Sequence, residues 1–75
     1  VISSLDFTLR GDHITLDALL KATGLAPSGG AAKAMILAGQ VQVDGQVELR
    51  RGCKLRAGHQ VQVGASLVLV QPPSQ

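Results

Sequence analysis

Ser28-Gly29-Gly30-Ala31-Ala32-Lys33-Ala34-Met35-Ile36-Leu37-Ala38-Gly39-Gln40-Val41-Gln42-Val43-Asp44-Gly45 changes its period at Gly39, and that change decides the fold. Ser28, after Pro27, is an N-cap residue for a helix rich in Ala, Met, Ile and Leu, and Gly39 supplies its stop. On a helical wheel Ala32, Met35, Ile36 and Gly39 share one face, with Lys33 and Leu37 turned away from it. Beyond Gly39 the period becomes two. Val41 and Val43 alternate with glutamines, Asp44-Gly45 is the strongest turn signal in the chain, and Val47 and Leu49 resume the apolar series. A strict two-residue loop would pair Gln42 with Val47 and set a polar residue among apolar ones, so a longer loop or a bulge is the expected register.

Outward from this centre, Leu5 to Leu9 alternates apolar and polar residues and reads as a short strand ended by Gly11-Asp12. Thr15 is placed to cap a first helix carrying Leu16, Leu19 and Leu20 on one face, Asp17 in its first turn and Lys21 near its end, before Gly24. Two such helices are too thin to close a core without a sheet. Downstream, Lys54-Leu55 opens an extended piece, Ala57-Gly58-His59 turns it, and Gln60 to Val63 alternates again. After Gly64-Ala65-Ser66, the uniformly apolar Leu67 to Val70 reads as a strand either buried on both sides or central in its sheet. The expected fold is α/β in the α+β sense: two packed helices, then a small mostly antiparallel sheet, with a short N-terminal strand. One domain spans residues 1–71, and Pro72-Pro73-Ser74-Gln75 is a flexible tail.

Composition narrows the function. Seventy-five residues, 45% apolar, fill one small core and leave little for an enclosing pocket. The lone Cys53 excludes an intrachain disulfide and a paired-cysteine zinc site. Val1 to Leu9 lacks the basic leader and long apolar run of a secretory signal, and no stretch suits a membrane span, so the cytoplasm is the expected compartment.

The net charge of +2 is unevenly spread. Residues 1–27 carry Arg10 and Lys21 against Asp6, Asp12 and Asp17. Residues 28–75 carry Lys33, Arg50, Arg51, Lys54 and Arg56 against only Asp44 and Glu48. Four basic groups between 50 and 56 make a local field, which suits either a solubilising face or an anionic polymer. Closely spaced phosphates match these groups, because arginine forks bind phosphate in bidentate fashion. The amides of Gly29 and Gly30 at a helix start suit another phosphate. Glu48, two residues before Arg50 on one strand face, is placed to order that arginine.

From Gly24 to Gly45, and on through Glu48-Leu49-Arg50-Arg51-Gly52-Cys53-Lys54, the chain resembles the S4-type, or alpha-L, RNA-binding module, most of all its small stand-alone bacterial branch known as YbcJ-like. Family members commonly open the second helix with Ser-Arg-Ser, carry a basic residue near its middle and continue into Gly-x-Val-x-Val-Asn-Gly. Here Ser28 matches the cap, Lys33 the mid-helix base and Gly39 to Gly45 the turn, whereas Gly29 stands where the first arginine is usual. The resemblance implies a non-catalytic protein that binds structured RNA, with ribosomal and transfer RNA among the expected partners, and needs no cofactor or metal. Together with the charge and helix-start readings above, it makes Lys33, Arg50, Arg51, Lys54, Arg56, Ser28, Gly29 and Gly30 the expected RNA-binding set. A ribosome-associated adaptor that docks on protein through Leu37 or the last strand is the alternative.

Base stacking is not the expected mode, since the only aromatic residue, Phe7, sits in an alternating strand where a core role is natural. Phosphate spacing and shape are the expected determinants, with Gln40, Gln42 or Gln46 within reach of sugar hydroxyls. Catalysis finds no motif. His13 and His59 lie 46 positions apart, the carboxylates show no ligand spacing, and Cys53 reads as a structural thiol whose flanking arginines would lower its pKa.

Overall fold

The computed structural model describes residues 3–73, and of the proposed tail Ser74 and Gln75 lie outside that range. The chain runs β1 (Ser3–Thr8), β2 (Ile14–Thr15), α1 (Leu16–Ala22), α2 (Gly29–Leu37), β3 (Val41–Val43), β4 (Gln46–Val47), β5 (Lys54–Leu55), β6 (Gln60–Val63) and β7 (Ser66–Gln71). Five strands form a sheet in the order β1-β7-β6-β3-β4, and β2 pairs with β5 in a separate two-stranded ladder. Every pairing is antiparallel except β1 with β7, which is parallel. The architecture is that expected from the sequence, a helix pair and a mostly antiparallel sheet, and the apolar run at β7 lies inside the sheet.

Strand alternation sorts the sheet into two faces. Val41, Val61, Val68 and Val70 are buried, with Leu5, Phe7, Val43 and Val63 packed beside them. On the helix side, Leu16, Leu19 and Leu20 of α1 and Ala32 and Ile36 of α2 have no exposed surface. Each fully buried Leu or Ile contributes roughly 1.5–3 kcal/mol by leaving water, so these few side chains hold most of the stability available to so small a chain. Lys33 and Leu37 face outward, as the wheel requires. The other sheet face carries Gln42, Gln60 and Gln62 in cross-strand register with Leu67 and Leu69.

The hairpin departs from expectation. Gln42 pairs with Val47 and Val43 with Gln46, so Asp44-Gly45 is a strict two-residue loop with no bulge. Both residues have positive φ, 51° and 84°, the signature of the hairpin turn whose twist matches its strands. Val47 need not face the core because β4 is an edge strand, and Val41 and Val43 already meet Val63 and Val61 across β6. The Asp44 amide donates to the Gln60 carbonyl at 2.8 Å, and its Oδ1 accepts from the Gln60 amide at 2.9 Å. The aspartate side chain thus takes the place of the backbone carbonyl that the turn has rotated away.

Candidate nucleic-acid interface

The basic segment after β4 is held by its backbone. The Cys53 amide closes a turn onto the Arg50 carbonyl at 3.2 Å. The Arg51 and Cys53 carbonyls accept from the amides of Asp17 at 3.1 Å and Leu16 at 2.9 Å. Next to these bonds Thr15 pairs with Lys54 and Ile14 with Leu55. A helix start leaves its first amides without intrahelical partners, and here the loop supplies them. Thr15 stands at the N-cap position but does not cap: its hydroxyl donates to Asp17 Oδ1 at 2.7 Å, while that oxygen also accepts from the Ala18 amide at 2.8 Å. With loop carbonyls already serving the amides, no hydroxyl acceptor is required. The backbone of residues 51–55 is therefore held by α1 and β2, while Arg50, Arg51 and Lys54 stay exposed.

Arg50 is the most constrained of the basic side chains. Its Nε and Nη2 donate to the two Glu48 carboxylate oxygens at 3.0 and 3.2 Å, and its own amide donates to Glu48 Oε2 at 3.0 Å. The Glu48 side chain is only 18% exposed whereas that of Arg50 is 79% exposed, so the acid lies inside and presents the guanidinium outward. The Arg50 side-chain bonds, with its backbone amide next, hold the Glu48 carboxyl down from an ordinary 4.5 to about 2. The same contact raises Arg50. Arg50, Gly52, Cys53 and Lys54 line a solvent-open concavity of about 480 Å³.

Cys53 corrects a sequence expectation. Its pKa is raised, not lowered, first by partial burial and then by the neighbouring Glu48 carboxylate. The flanking Arg50 pulls the thiol down, but burial and the Glu48 carboxylate outweigh it.

The remaining candidates are placed apart from this loop. Arg56 Nη1 donates to Asp12 Oδ2 at 3.4 Å, a partner 44 residues away, and Asp12 Oδ1 also meets His13 Nδ1 at 2.8 Å. The Arg56 amide donates to His59 Nδ1 at 3.3 Å, so both histidines serve local loop contacts. Contact with His13 foremost, then Arg56, lowers the Asp12 carboxyl. Lys33 is exposed on α2. Ser28 caps α2 as expected, its Oγ accepting from the Ala31 amide at 3.1 Å. The amides of Gly29 and Gly30 have no hydrogen-bond partner among the described residues, and a Cβ added at either position would meet nothing closer than Ser28 Oγ at 3.9 Å.

Ser28 to Gly30 follow Ala26, whose amide bonds the Leu20 carbonyl near the end of α1, whereas Arg51 and Cys53 sit at its start. Two basic or amide-rich stations are therefore separated by the length of α1, roughly 10 Å for seven residues. The sequence did not reveal Asp12 as the partner of Arg56 or the β2–β5 ladder. The first has no local spacing signal, and the second is only two residues long. Among the described residues no cluster of three His, Cys, Asp or Glu side chains is arranged for a metal.

The S4 domain family model matches residues 7–71. YbcJ of Escherichia coli strain K12, whose name carries a provisional RNA-binding assignment, is 47% identical over 58 residues, which cover 77% of this chain and 83% of that protein. YbcJ of Shigella flexneri matches to the same extent. The solution structure of YbcJ from E. coli, described as revealing an alfaL motif involved in RNA-binding, superposes with a TM-score of 0.68 at 43% identity, covering 88% of this chain and 85% of that one.

Proposed function

This chain belongs to the S4 domain family, and on that premise we propose that it is a non-catalytic RNA-binding protein that reads structured RNA through phosphate spacing and shape. The observation that carries the reading is the basic loop docked on α1: its backbone is fixed by Arg51, Cys53 and the β2–β5 ladder, and its cationic side chains face solvent. A rigid backbone bearing exposed charge binds phosphate without first ordering a loop. Lys33, Arg50, Arg51, Lys54 and Arg56 form the proposed phosphate contacts, and the amides of Gly29 and Gly30 beyond the Ser28 cap provide one more. Lys33, Arg51 and Lys54 make no ion pair among the described residues, so their charge is wholly available to a ligand. The finer reading is a cytoplasmic protein acting on ribosomal or transfer RNA, ribosome-associated in the first case.

The decisive experiment titrates a fluorescein-labelled RNA hairpin with wild type and with the combined Arg50→Ala, Arg51→Ala, Lys54→Ala variant over a salt series. Each neutralised phosphate contributes about 0.7 to 0.9 to the log-log salt slope, so the triple variant should lose about 2 units of slope and most of its affinity. Unchanged or salt-insensitive binding by the variant would remove the loop from the interface. A second reading, a protein-docking adaptor, draws on the exposure of Leu37 (62%), Val47 (54%) and Leu49 (54%). It requires that Leu37→Ser abolish association with ribosomes in cells while the charge triple leaves that association intact.

A further inference from the structure

We infer that the concavity lined by Arg50, Gly52, Cys53 and Lys54 is a preformed seat for one phosphodiester group of RNA, with Glu48 as the residue that positions Arg50 in its wall. The inference rests on the RNA-binding reading above and adds where one phosphate sits and why that seat is rigid.

A guanidinium has five N–H donors on two usable edges. Glu48 takes the edge formed by Nε and one N–H of Nη2. The opposite edge, both N–H groups of Nη1 and the second of Nη2, remains free for a bidentate oxyanion. Glu48 is well suited to hold the arginine because it is mostly covered, and a third bond from the Arg50 amide fixes the carboxylate itself. Immobilising a free arginine on binding costs roughly twofold to tenfold in affinity, a cost the pair has met before RNA arrives.

Charge suits one phosphodiester, and the concavity admits it with room to spare. The lining carries two cationic side chains, Arg50 and Lys54, and Glu48, bonded to Arg50 from outside the lining, leaves a local excess of one positive charge. Gly52 keeps the mouth clear: a Cβ added there meets no atom within 4 Å. Because Gly52 lines the concavity, a side chain there has room for its Cβ and stands at the seat.

This clearance supplies the test. The labelled RNA hairpin is titrated with wild type, Glu48→Gln, Arg50→Lys and Gly52→Val, each first checked for a native melting transition. Glu48→Gln raises the net charge by one, so a merely electrostatic surface would bind RNA more tightly. A positioned arginine instead loses roughly twofold to tenfold in affinity. Arg50→Lys keeps the charge and should weaken binding similarly, because a lysine cannot serve two anions through two flat edges. Gly52→Val should weaken binding and lower the salt slope by about 0.7 to 0.9, one phosphate contact. Tighter binding by Glu48→Gln together with wild-type behaviour of Gly52→Val would overturn the seat while leaving the RNA-binding reading standing. Absence of wild-type binding would overturn the reading itself. Inorganic phosphate replacing chloride at constant ionic strength should not displace the hairpin, and displacement would reassign the seat to free phosphate.

Discussion

A single carboxylate, Glu48, joins sequence, stability and the proposed interface. The pairing of Glu48 with Arg50 was expected from a shared strand face, but β4 ends at Val47 and the two meet in the loop beyond it, where the Arg50 amide and guanidinium both turn to the carboxylate. Which of the two would lie inside was not legible, since that depends on the chain packed around them. With its pKa depressed to about 2, Glu48 contributes stability that is complete above its ordinary 4.5 and is lost as pH falls toward 2. Urea unfolding followed from pH 5 to pH 2 should show a shallower loss of stability for Glu48→Gln than for wild type; superimposable acid limbs would mean the ion pair is not formed in solution. Gly29 gives a second prediction at this scale. It occupies the position where the family usually carries arginine, and a Cβ there meets nothing within 4 Å. Gly29→Arg should fold normally, bind the RNA hairpin more tightly and steepen the salt slope by about 0.7 to 0.9, read by anisotropy.

Among the elements, those with a strong period were legible and those without one were not. The Ser28 cap, the buried face of α2 and the alternation of β3 and β6 follow from side-chain spacing, which local geometry enforces. Ser28→Ala should lower stability by about 1 kcal/mol in denaturant melts, with Ser28→Gly costing less, because the hydroxyl serves one otherwise orphaned amide. At α1 the same reasoning misassigned Thr15, because the Asp17 amide is taken by the Arg51 carbonyl, more than 30 residues downstream, and the Ala18 amide by the Asp17 side chain. The hairpin loop was misjudged for a related reason. Requiring Val47 to face the core presumed a strand covered on both sides, and β4 is an edge.

For the whole molecule, the helix pair and sheet share one core so small that each large side chain matters. Leu20→Ala, at a position with no exposed surface, should cost about 2–5 kcal/mol. Against the 5–15 kcal/mol typical of small domains, that is a large fraction of the total, visible as a substantial fall in melting temperature by circular dichroism. The sequence alone determined the two helices, the hairpin and the concentration of positive charge at residues 50–56, because each is written in local spacing. Tertiary structure alone decided that the basic loop caps α1 through Arg51 and Cys53, that Arg56 turns to Asp12, that burial raises Cys53, and that the Ser28 station stands about one helix length from Arg51. These arrangements depend on hydrogen bonds and solvent exclusion between residues distant in the chain, which no local period encodes.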